Sequence, residues 1–160
     1  MKNLLPLFLL ILILYSCTDC GPQKELTVGI NFNRGKDSLH LKKIEAMGAL
    51  DQQIFKKQVE DFNTSRPFPD LSLPISLNAD STTYIFEFQN RVDTLTLFYK
   101  RDFHYKDHCG FVTDTKSPGT WRNSKSTFSE VNVSYESYLR RDITLVSSSG
   151  GHGISVNISL

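Results

Sequence analysis

The stretch DSTTYIFEFQNRVDTLTLFYKRDFHYKDHCG, residues 80–110, organises the chain around it. Tyr84, Phe86 and Phe88 alternate with Ile85, Glu87 and Gln89, the period of two shown by a strand whose one face meets a core. Asn90, Arg91, Val92 and Asp93 supply a turn. The return arm sets Leu95, Leu97 and Tyr99 on one face and Thr94, Thr96 and Phe98 on the other. Both arms are rich in β-branched and aromatic residues, which suit a pleated, half-buried surface. Phe103, Tyr105, Cys109 and Gly110 follow. The spacing predicts a long β-hairpin that finishes on a cysteine.

Working outward, Leu26, Val28, Ile30 and Phe32 alternate with Thr27, Gly29 and Asn31 and predict a first strand, with a turn over 33–37. Leu71, Leu73, Ile75 and Leu77 resume alternation around Pro74, which has no N–H to give, so an edge or irregular strand is expected there. Ser65, Pro67 and Pro69 mark 63–70 as a loop. Between these pieces, 38–61 is ambiguous. Ile44, Met47, Leu50, Ile54 and Val59 form a loose helical stripe, but Leu39 and Leu41 alternate and Gly48 sits mid-segment, and the reading adopted is two short strands around 48–52.

Downstream of the hairpin, Phe111 and Val112 make a short strand before a loop over 113–123 turned by Pro118 and Gly119. Val131, Val133 and Tyr135 make another, and 143–146 and 154–160 two more, joined by the Ser- and Gly-rich 147–153. About nine short strands without βα alternation predict an all-β domain over 26–160, an antiparallel β-sandwich or an open barrel.

The N-terminus carries an address. Lys2 precedes an apolar run from Leu4 to Leu14, interrupted by Pro6 and about half the length of a bilayer span, which favours a secretion signal over a transmembrane helix. At its end, Leu14, Tyr15, Ser16 and Cys17 resemble the lipobox of bacterial lipoproteins. That resemblance implies a signal peptide over 1–16, acylation of Cys17, a tether over 17–25 and an exported protein anchored through its lipid to a cell-envelope membrane, facing the periplasm or outward. Two or three acyl chains give the stable hold that one does not. Cys20 and Cys109 remain as an even pair in an exported chain, for which a disulfide is expected; closing a loop of about ninety residues would contribute roughly 4–5 kcal/mol, less any strain.

Taken together, the lipobox Cys17, the nearby Cys20, the phrase Leu73-Pro74-Ile75-Ser76-Leu77, segments 80–86 and 93–99, and the pair Cys109-Gly110 resemble a family of small Bacteroidota lipoproteins classed as a domain of unknown function. The resemblance implies an address and a fold and brings no catalytic residues with it.

Composition narrows the function further. Hydrophobic residues at 39%, aromatics at 11% and charged residues at 22% are globular values. Lys plus Arg number 18 against 17 Asp plus Glu, and Lys2 lies in the export segment, so the remaining chain has no basic excess for nucleic acid. His104 and His108, beside Asp107 and Cys109, suggest a metal pair, but four strand residues separate two rings by roughly 13 Å, and they are read as surface histidines. No metal or other cofactor is expected.

Ser149, His152 and Asp142 or Asp102 could compose a hydrolytic set on paper, and an envelope hydrolase using His104, His108 or His152 with a neighbouring acid is the alternative function. The glycines of 149–153 lack a following helix, so a hairpin turn is expected there rather than a phosphate cradle. Trp121 either caps the core or, with Arg122, contacts a ligand. Lys100 and Arg101 read as solvated strand ends. Asp37-Ser38-Leu39 and Asp93-Thr94-Leu95 resemble the short acceptor used for O-glycosylation in Bacteroidota. The balance is a monomeric, non-catalytic binding or structural module whose partner is a protein or glycan.

Overall fold

The alternation of residues 84–97 becomes β4 (Ser81–Phe88) and β5 (Val92–Phe98), paired antiparallel with Tyr84 opposite Leu95 and Phe86 opposite Asp93. Around them run β1 (Thr27–Asn33), β2 (Leu41–Met47), the helix α1 (Gln52–Thr64), β3 (Leu71–Pro74), β6 (Lys100–Lys106), β7 (Gly110–Lys116), β8 (Ser124–Ser126), β9 (Glu130–Tyr135) and β10 (Ile154–Ser159). The computed structural model describes residues 26–33, 39–48, 52–64, 70–106, 110–119, 122–136 and 153–159.

The fold is all-β with one helix among the described residues. Two four-stranded sheets, ordered β3-β1-β10-β9 and β2-β4-β5-β8, face one another, and β6 and β7 form a separate two-stranded ribbon. Neither sheet closes into a barrel. Every described strand pair is antiparallel except β1 with β10, which run parallel with Ile30 opposite Val156. A parallel pair cannot be joined by a tight turn, and here the two strands are separated by most of the chain.

The two inner faces share one core. Tyr84, Phe86, Phe88, Leu95 and Leu97 meet Val28, Ile30 and Phe32 of β1 and Ile154, Val156 and Ile158 of β10. Phe32 is the keystone: its ring lies edge-on to Phe62, Phe86, Phe88 and Phe128, with centroids 5.5, 5.7, 6.1 and 5.9 Å away. Each such pair adds about 0.5–1.5 kcal/mol beyond the area it buries. Arg91 covers this cluster at the outer end, its guanidinium 5.7 Å from the Phe128 ring while it pairs with the buried Asp93.

Residues 38–61 differ from the two-strand expectation: a strand, β2, is followed by a helix. Gly48 ends β2 at φ 90, in the left-handed region that glycine enters freely. In α1, Phe55, Val59 and Phe62 recur at helical spacing and put one stripe on the core. The helix also finishes the edges of both sheets. Asn63 accepts from the Leu41 N–H at 3.1 Å and donates to the Leu41 carbonyl at 2.7 Å, acting as a strand partner for β2. Gln58 accepts from the Ser72 N–H of β3 at 2.9 Å. Outer strands left bare are templates for aggregation, and α1 covers one from each sheet.

Three other expectations are corrected. Val92 and Asp93 belong to β5 rather than to the turn. The long hairpin stops at Tyr99, and the chain then enters a second hairpin in which β7 extends to Lys116, well past Val112. Asn63 and Thr64 are helical, not loop. Pro74 does lie on an outer strand, β3, as its missing N–H requires. The strand expected over 143–146 lies outside the described residues.

Candidate functional site

One end of the sandwich gathers the start of β1, the end of β3, the joint between β5 and β6, and the end of β9. A chain of hydrogen bonds ties them. The Ile75 N–H donates to the Leu26 carbonyl at 3.0 Å, and the Ser76 N–H donates to Thr82 Oγ1 at 2.8 Å. Tyr99, buried in the joint, donates to the Ser76 carbonyl at 2.7 Å, so the 2.7 Å contact between its oxygen and Thr82 is a bond donated by Thr82. Burial raises the Tyr99 phenol above its ordinary pKa. Arg101 then reaches back, to the Leu77 carbonyl at 2.7 Å and the Asp80 carboxylate at 2.8 Å. It is therefore a structural clamp at the root of the ribbon, not a solvated strand end.

The ribbon is inverted in polarity. Its register places Phe103, Tyr105, Phe111 and Thr113 on one face and Asp102, His104 and Lys116 on the other. The aromatic face is the open one: Phe103 is 58% exposed, Tyr105 68% and Phe111 80%, and Tyr105 and Phe111 meet edge-to-face at 5.6 Å. On the polar face Asp102 pairs with Lys116 and lies 3.0 Å from His104 Nε2. The Lys116 hydrogen bond is the main reason the Asp102 carboxyl is held below its ordinary pKa.

A second feature lies on the side of the sandwich away from α1. There β8 and β9, the outer strands of different sheets, come together without pairing. A groove of about 480 Å³ opens along them, with Arg122, Asn123 and Ser124 on one wall and Glu130, Val131, Asn132 and Val133 on the other. Next to Asn123 the two sheets are tied together. The Tyr135 hydroxyl of β9 donates to the Phe98 carbonyl at 2.5 Å and reaches the Asn123 carbonyl at 3.4 Å, which also accepts from the Phe98 N–H at 3.0 Å. Burial pushes the Tyr135 phenol up to about 12. The side-chain oxygen of Asn123 is buried and finds no hydrogen-bond partner among the described residues.

Of the residues singled out in the sequence, the structure places Arg122 on the groove and His104 on the polar face of the ribbon. Trp121, His108, Ser149, His152, Asp142, Cys17, Cys20 and Cys109 lie outside the described residues, as do Asp37 and Ser38. Asp102 and His104 do form an acid–His pair, but Lys116 shares the carboxylate and the pair rides on a ribbon rather than in a cavity. Among the described residues no three His, Cys, Asp or Glu side chains converge as metal ligands. Asp93 and Leu95 of the acceptor-like motif are buried in β5. Glu130 and Asn132 carry no signal in the sequence, because exposed polar residues alternating along a strand look like any solvated face, and Asn123 stands in the loop before β8. No described helix is long and apolar enough to cross a membrane. Comparison with protein-family models, curated proteins and solved structures finds no match.

Proposed function

We propose that this chain is a lipid-anchored lipoprotein of a bacterial cell envelope, of the Bacteroidota type, and that its β-domain is a non-catalytic binding module. The observation that carries the binding reading is the groove between β8 and β9, lined by Arg122, Asn123, Glu130 and Asn132. Such a mixture of amide, carboxylate and guanidinium groups suits a hydroxyl- and amide-rich ligand, a glycan above all. Trp121, an aromatic residue of the kind sugars stack on, immediately precedes Arg122 in the chain. The anchor rests on the Leu14-Tyr15-Ser16-Cys17 lipobox, and a Cys20–Cys109 disulfide belongs to the same exported setting.

The test is binding of the full chain to a panel of neutral and acidic envelope oligosaccharides, with Arg122→Ala and Asn132→Ala alongside. Binding weakened about tenfold or more by either substitution is expected, the loss of one or two hydrogen bonds to a charged or amide group. A panel without binders, or binding indifferent to both substitutions, removes the reading. For the disulfide, mass spectrometry of non-reduced peptides is expected to join Cys20 to Cys109, and two alkylatable thiols in the native protein exclude it.

A further inference from the structure

We infer that the aromatic face of the β6–β7 ribbon is a membrane-contact surface, which enters the interfacial layer of the bilayer to which the chain is anchored. The inference rests on the lipoprotein reading for its setting, but its own support is geometric. The ribbon presents Phe103, Tyr105 and Phe111 outward and keeps Asp102 and His104 half-buried, the reverse of what water selects. Aromatic residues of this kind favour the headgroup boundary of a bilayer, where an apolar ring and a polar tip are both accommodated.

The position of the chain's entry points to lipid rather than another occupant. Leu26, the first described residue, is hydrogen-bonded to Ile75 at the end of the sandwich where Arg101 roots the ribbon. Any tether over 17–25 therefore leaves from the ribbon's own end. Seven residues per strand give the ribbon a length of about 20 Å, while the nine steps from Cys17 to Leu26 reach at most about 30 Å. The tether is long enough to let the whole ribbon, from root to tip, lie against the membrane. Cys109 falls between β6 and β7, so a bond to Cys20 would bring the tip to within three residues of the acylated one.

The experiment uses the full chain reconstituted with vesicles of phosphatidylethanolamine and phosphatidylglycerol, some brominated in their acyl chains. With Trp121→Phe removing the native indole, Phe111→Trp reports on the ribbon and Val92→Trp on the exposed first residue of β5, at the opposite end of that strand from the ribbon. The expected result is a blue shift and bromine quenching at position 111 and neither at 92. In a chain also carrying Cys17→Ala, replacing Phe103, Tyr105 and Phe111 with Ser is expected to lower vesicle partitioning about tenfold or more. No quenching at position 111 overturns the inference, whether or not the chain is lipidated. So does a blue shift at 111 that needs no lipid and rises with protein concentration as a dimer sediments, since a second copy then covers the face. Intact mass and membrane fractionation of the native chain against Cys17→Ala report separately on the anchor: an unmodified Cys17 with quenching at 111 removes the anchor and leaves the ribbon contact standing.

Discussion

The β4–β5 and β6–β7 hairpins follow one another directly, alternate in the same way and are similarly rich in aromatics, yet one is the centre of the core and the other displays its rings. Tyr84, Phe86, Leu95 and Leu97 are wholly buried, whereas Phe111 is 80% exposed. The difference lies in what faces them. The first hairpin has a second sheet opposite, brought there by β1 and β10, and gains β2 and β8 as flanking strands. Among the described strands, those of the second pair only with each other. Alternation declares that a strand has an apolar face; it does not say whether the protein supplies the partner for that face or leaves it to something outside.

The largest expected effect breaks the comparison from its buried side. Phe86→Ala removes a ring that touches Phe32, Phe88 and Phe128 and leaves a cavity between the sheets. A loss of about 3–5 kcal/mol is expected from denaturant unfolding, enough to threaten folding altogether. A loss under about 1 kcal/mol would mean that the sheets do not pack through this cluster.

Next comes the support of the flanking strand. Asn63→Ala deletes both amide bonds to Leu41, and about 1–2 kcal/mol of stability is expected to go with them, since water can reach part of the exposed edge. Hydrogen exchange should quicken first in β2, while β6 and β7 are unaffected. Equal quickening in the ribbon would show that the two hairpins are one cooperative unit.

These elements also show what was legible. The strands β1, β4, β5 and β9 could be read because their apolar residues alternate without interruption, and Pro74 announced an outer strand. The helix could not, because Phe55, Val59 and Phe62 suffice to hold it and, Ile54 apart, the rest of its length is polar. Phe128, a lone aromatic between Thr127 and Ser129, carries no pattern, although three phenylalanines surround it. The parallel pairing of β1 with β10 is a non-local choice that leaves no mark on either strand. For the groove, Arg122 was noticed through its neighbour Trp121, but the opposite wall comes from a different sheet and only the fold brings it near.

At the joint between the hairpins, Tyr135→Phe tests a smaller effect with a pH signature. The hydroxyl bridges β9 to the last residue of β5, so its loss is expected to cost about 1 kcal/mol at neutral pH. Burial raises this phenol from its ordinary 10.0 to about 12, meaning the folded state holds the proton more tightly than the unfolded chain. The linked stability is fully present below pH 10 and is lost as pH climbs toward about 12. Tyr99 is raised as well, by its own burial, so the Phe variant should show a shallower alkaline loss rather than none. An unchanged slope in that window would place the alkaline sensitivity elsewhere.

The smallest expected effect sharpens the comparison from the exposed side. Phe111→Ser changes a ring that is 80% exposed and touches only Tyr105 among the described aromatic contacts, so stability in solution should move by no more than about 0.5 kcal/mol. The same substitution in Phe86 or Phe88 would expose the core to a hydroxyl. If Phe111→Ser instead destabilises the soluble chain as core substitutions do, the ring is already covered within the protein and the face is not free for a membrane. If it leaves unfolding alone while weakening the contact with vesicles, the aromatic residues of the second hairpin serve an external surface rather than the fold, and the two hairpins differ in function because they differ in what stands opposite them.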